Sequence, residues 1–301
     1  MKLNYSTDEK VFNIHTDGIP YLSVDMLDRL GVPNLFSTRY ESLEPPAKGL
    51  RTAIMRWEER DEAAPVVQLS RDRLARQIGS SLAAECISDQ KHTNYVHVAA
   101  SEDLGPVWPK TRPLHRQYVD GMVTDNPDAL LTVFGGDCPP VYIADPVRRA
   151  IGLVHAGWKG TLGRIPEVAI AQMVVKFGCK PENMYAAIGP GICRDCYEMG
   201  DEIYDAFASE WSREEADLIL SRYPAKDPEG CDIPGGKYHL DLRLANKMTL
   251  MRAGVPGERI SVSNVCTKCN ADTFYSYRSG RMENEQVAMM VNRFDYSFDW
   301  I

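Results

Sequence analysis

A chain of 301 residues with 44% hydrophobic and 25% charged side chains has the composition of a globular protein able to bury a large core. Its net charge of −8 argues against nucleic acid as a partner, since phosphate backbones are held by basic surfaces, but leaves room for a local basic pocket that takes a small anion. No apolar run approaches the ~20 residues of a membrane helix, and MKLNYSTDEKVFNIHTDG lacks the apolar centre of a signal peptide. A cytoplasmic protein with no membrane partner is the expectation. Its eight cysteines (86, 138, 179, 193, 196, 231, 266 and 269) are then reduced thiols or metal ligands.

Helical periodicity first appears over 66–79. A strand pattern follows at 93–100, with His92 just ahead of it and His97 within it. Strand runs at 130–134, 140–144 and 150–155 come in close succession, and the last two flank the turn residues DPVRR. A helix over 166–178 stops at Gly178, a strand lies at 184–189, and a further helix covers 202–211. The helix over 241–254 has Asp241 suited to its N-cap and Gly254 to the position past its end. Strands at 260–265 and 286–292 complete the pattern. Strands and helices alternate irregularly, without repeats or linkers. The expected class is α/β (α+β): a single domain over 1–301 with mixed β-sheets covered by helices, built round a central β-hairpin.

That hairpin carries chemistry at its open end, where GGDCPP precedes one arm and His155 closes the other. A four-residue loop over Asp145 to Arg148 would pair Ala144 with Arg149 and set Cys138 opposite His155. A five-residue loop would send the two side chains to opposite faces, and a bend at Pro139-Pro140 could rescue either register. A thiolate and an imidazole suit zinc, but also suit a nucleophile with its base, or a buried thiol beside a satisfied histidine. A third ligand would decide. His92 is favoured by position over His15, His97, His115 and His239.

Several motifs, in order along nearly the whole chain, resemble the multicopper polyphenol oxidase (laccase-domain) family. Its members are better described as zinc-dependent purine nucleoside phosphorylases with adenosine deaminase activity. The matching stretches are FSTR (36–39), DQKHTNYV (89–96), DGMVTDNP (120–127), GDCPPVYIADP (136–146) and HAGWKGT (155–161). AAIGPGICRDCYEMGDEI (186–203), LDLRLANKMTLMRAGV (240–255) and CTKCNADTFYSYRSG (266–280) complete the set. The resemblance implies Zn²⁺ held by His92, Cys138 and His155, with copper as the alternative cofactor. Asp137 would hold a histidine N–H beside the metal.

The resemblance further implies purine nucleosides and phosphate as partners, handled by a monomer or weak homo-oligomer. Arg39 and Arg71 are the expected phosphate contacts, with Lys159 a third, because guanidinium forks suit tetrahedral oxyanions. Upstream of Arg71 the family's asparagine is absent: this chain has RTAIMRWEER. Phe274, Tyr275 and Tyr277 offer purine stacking or core packing. The pairs CRDC (193–196) and CTKC (266–269) lie 70 residues apart, too far for a compact zinc knuckle, so buried reduced thiols are expected.

Overall fold

From residue 130 to 155 nearly every strand side chain is apolar, because both faces of these strands are buried. The computed structural model describes residues 1–43, 46–53, 60–87, 89–105, 118–222, 225–226, 232–233, 237–280 and 283–294, which leaves His115 and Cys231 outside the described residues. Two six-stranded sheets form the frame. Their strands are β1 (Phe12–His15), β2 (Tyr21–Val24), β3 (Asn34–Ser37), β4 (Glu85–Ile87), β5 (Val96–Val98) and β6 (Gly121–Thr124), then β7 (Leu130–Gly135), β8 (Pro140–Asp145), β9 (Ala150–His155), β10 (Tyr185–Ile188), β11 (Ile260–Val262) and β12 (Gln286–Val291). The first sheet runs β1-β2-β3-β12-β7-β4 and the second β11-β10-β8-β9-β6-β5. The pairs β4/β7, β10/β11 and β5/β6 are parallel and the others antiparallel, so both sheets are mixed.

Side-chain alternation then makes layers. Met122, Tyr142 and Leu153 of the second sheet meet Leu131, Val133 and Met290 of the first in one apolar cluster. Tyr142, fully buried, also donates its hydroxyl to the Leu35 carbonyl at 2.9 Å and so ties sheet to sheet. The seven helices among the described residues are α1 (Asp25–Arg29), α2 (Arg60–Gln77), α3 (Trp158–Leu162), α4 (Ile165–Phe177), α5 (Asp201–Glu210), α6 (Arg213–Ile219) and α7 (Leu242–Arg252). Ile170 and Met173 of α4 cover Val141, Ile143 and Val154, while Leu74 of α2 and Ile78 just past its end cover Leu130, Met289 and Val291. Each such residue contributes about 1.5–3 kcal/mol on full burial. No helix among the described residues is long and apolar enough to cross a membrane.

The caps follow the expected chemistry. Asp241 accepts the Leu244 N–H at 2.9 Å, and Gly178 and Gly254 end their helices at φ of 65° and 97°. The strand expected over 93–100 is shorter, Val96–Val98, because the N–H groups of residues 91–93 are taken by a carboxylate instead.

The hairpin register differs from both expectations. Asp145 pairs with Ala150 and Pro140 with His155, leaving 146–149 as the loop. The cause is local: Asp145 stays in the strand and its Oδ1 accepts the N–H groups of Val147 and Arg148 at 2.9 and 3.0 Å. Cys138 is therefore not a strand partner of His155. It sits before β8, where the chain bends through Asp137 at φ 114°.

Candidate metal centre

Three segments converge at that bend. His155 ends β9, Cys138 precedes β8, and His92 comes from the loop ahead of β5. Their ligand atoms lie within 4.8 Å of one another, with Cys138 Sγ 3.9 Å from His92 Nε2. Gly157 faces the cluster: a Cβ there would come within 2.8 Å of both Cys138 Sγ and His92 Cδ2. Two imidazoles and one thiolate around such a cradle can hold a metal ion, and three protein ligands leave a further position open. Gly157 has φ −68°, so alanine meets no backbone objection and acts by bulk alone. Gly157→Ala should weaken metal binding by at least ~10-fold while costing the fold no more than about 1–3 kcal/mol. Metal titration beside thermal melting checks this, and unchanged metal affinity would show that the cradle is elsewhere.

Asp120, which the sequence reading left without a role, organises the ligands. It is fully buried just before β6. Its Oδ1 accepts His155 Nδ1 and the His92 N–H, both at 2.9 Å, and its Oδ2 accepts the N–H groups of Lys91 and Thr93 at 3.0 and 2.8 Å. The Nδ1 contact leaves His155 Nε2 for the cluster. The same grip stabilises His92 in the left-handed region, at φ 60°. Burial opposes ionisation of Asp120, but the hydrogen bond and charge of His155, with the Lys91 and Thr93 amides, hold its carboxyl down at about 2. Burial likewise resists the Cys138 thiolate, yet His155 and His92 bring the thiol down to about 7. Gln90 fastens the His92 loop to the first sheet, accepting the Phe134 N–H at 2.7 Å and donating to its carbonyl at 2.8 Å.

Asp137 does not hold a histidine. Its Oδ1 accepts the Thr267 hydroxyl at 2.6 Å and its Oδ2 the Arg278 N–H at 2.8 Å, so the expected histidine contact belongs to Asp120. Burial raises the Asp137 carboxyl. A second acid missed by sequence, Glu285, lies half-buried over Gly136, its Cγ 3.8 Å from the Cβ position there. Burial raises its carboxyl against the opposing charges of His155 and His92.

The expected anion contacts are distributed unevenly. Arg71 is 4% exposed and paired with fully buried Glu85 at 3.3 Å, a carboxylate that already balances its charge. Arg39 donates to the Ala271 carbonyl at 3.1 Å and to Glu283 at 3.2 Å and lies over the Tyr275 ring, while its buried Nε has no acceptor among the described residues. Lys159 is exposed on α3, two residues past Gly157. Phe274 and Tyr275 are fully buried core and Tyr277 is 62% exposed, so of the three only Tyr277 presents a ring to solvent.

The profile of the family described as "Multi-copper polyphenol oxidoreductase laccase" matches residues 35–292. The chain belongs to this family. It is 35% identical over 275 residues to a purine nucleoside phosphorylase of Deinococcus radiodurans, covering 88% of this chain and 91% of that one. It is also 33% identical over 218 residues to adenosine deaminase RL5 from an unknown prokaryotic organism, covering 72% and 78% of the two chains. The crystal structure of YlmD from Geobacillus stearothermophilus superposes with a TM-score of 0.74 at 27% identity, over 95% of this chain and all of that one.

Proposed function

We propose that this protein is a zinc-dependent purine nucleoside phosphorylase that cleaves adenosine or inosine with phosphate to the free base and ribose-1-phosphate. Adenosine deamination and phosphorolysis of S-methyl-5′-thioadenosine are further activities of the same site. The observation that carries this reading is the His92–Cys138–His155 cluster about Gly157, with Asp120 orienting two of its members. The names of the similar phosphorylase and deaminase support it. A zinc ion held by the three ligands supplies Lewis acidity where they converge.

The surrounding residues supply the rest. In phosphorolysis a phosphate oxygen bonds to the anomeric carbon as the bond to the purine nitrogen breaks, and the departing nitrogen needs a proton. Glu285, whose burial favours the protonated carboxyl beside the histidines, donates that proton. The unshared Nε of Arg39 and the ammonium of Lys159 take the phosphate, and the exposed Tyr277 ring offers a face to the purine. Arg71 shapes the wall through Glu85 rather than binding the anion.

Multi-copper phenol oxidation requires several coppers and many imidazoles. Among the described residues only one ligand group contains histidine. His15 is engaged with Ser23, His97 with Asp103 and His239 with the Arg194 carbonyl. The test is to feed adenosine with and without inorganic phosphate, and separately a phenolic dye with oxygen. Adenine and ribose-1-phosphate should appear only with phosphate, whereas inosine should form without it. Base release independent of phosphate would make the protein a hydrolase, and dye oxidation faster than nucleoside turnover would overturn the purine reading.

A further inference from the structure

The pairs CRDC and CTKC, expected as buried reduced thiols, come together. The sulfurs of Cys193, Cys196, Cys266 and Cys269 all lie within 4.8 Å of one another, and Cys196 and Cys269 are 3.6 Å apart. Only Cys266 is buried; Cys193 and Cys196 are half-buried and Cys269 is exposed. Spacing along the chain misled because the two loops are joined in space by a bridge between Gly191 and Cys266 and by the Thr267 N–H on the Gly191 carbonyl at 3.2 Å. From this geometry we infer a second metal site: four thiolates holding one structural zinc ion, separate from the His92–Cys138–His155 centre.

Four features fit that ligand set. A tetrahedral zinc with Zn–S bonds of about 2.3 Å sets its sulfurs about 3.8 Å apart, close to the separation seen. The N–H groups of Cys193 and Cys269 fold back on Cys266 Sγ at 3.2 and 3.4 Å, which turns the two loops toward a common point and stabilises negative sulfur. Four thiolates around a divalent ion carry net negative charge, and a buried cation stands beside them. Arg243, 8% exposed, donates to the carbonyls of Gly191, Ser263 and Val265, which lie on the same two loops. The edge at Cys269 is open, so an ion can reach the sulfurs without unfolding the domain.

The position gives the site a purpose. The Ile192 N–H, next to Cys193, donates to the Asp137 carbonyl at 2.8 Å, and the Thr267 hydroxyl, between Cys266 and Cys269, donates to the Asp137 carboxylate at 2.6 Å. Both cysteine loops therefore clamp the residue that precedes Cys138. Zinc joining the loops braces the bend on which that ligand sits. It adds no reactive group, since four protein ligands close its coordination.

The test uses full-length protein loaded with cadmium-113. The wild type should show a resonance in the all-sulfur region, distinct from the nitrogen–sulfur signal of the other centre, and His92→Ala should keep the first while losing the second. Cys196→Ser/Cys269→Ser should lose one equivalent of zinc by elemental analysis and melt at a lower temperature. Should that variant fail to fold, the wild-type spectrum still decides. No all-sulfur signal in the wild type would overturn the proposal. So would four of the eight cysteines found as disulfides in protein purified without reductant. A missing nitrogen–sulfur signal beside an intact all-sulfur one would count against the proposed function alone.

Discussion

Replacing Asp120 with alanine should cost the fold about 3–5 kcal/mol and release the metal from the histidine–cysteine centre. Its carboxylate is surrounded by donors: the N–H groups of Lys91, His92 and Thr93 and the Nδ1 of His155. At 0% exposure, no water can take over when the acceptor is removed. Asparagine is no mild substitute, because its amide would turn N–H toward one of those same donors. Urea denaturation and metal content should change together. A variant that unfolds like the parent and keeps its metal would show that something else places the two histidines.

Cys138→Ala should lower zinc content by one equivalent and remove phosphorolysis and deamination together. Losing a ligand exceeds the ~10–100-fold that loss of an outer partner costs a metal site. The fold should be little affected, since Cys138 is only half-buried and lies outside the strands. Elemental analysis and the adenosine assay are both needed, because either alone confuses a damaged centre with a damaged protein. Full phosphorolysis in a variant short of one zinc would show that the ion is not part of the chemistry.

The hairpin, the cap at Asp241 and the helix end at Gly254 were legible because each rests on neighbours a few residues away. The convergence of Cys138 and His155 was legible too, but not its register. That was set by Asp145, whose side chain accepts from the turn while its backbone remains in the strand. The role of Asp120 was hidden, because it depends on three successive amides some 27–29 residues upstream and a ring 35 residues downstream. The pairing of Arg71 with Glu85 was hidden because only sheet pairing and helix packing bring that carboxylate beneath it. The convergence of the two cysteine pairs was hidden for the same reason: their closeness comes from a bridge between distant loops.

Cys138 lies in the short link by which the chain leaves β7 in one sheet and enters β8 in the other. Gln90 grips β7, while Asp120 and His155 belong to the second sheet and its approaches. The centre thus lies on the seam between the two sheets. Closing it costs loop entropy, because His92 and Cys138 stand 46 residues apart along the chain. A metal ion bound by all three ligands would pin that link, tying the strand that ends in one sheet to the strand that begins in the other.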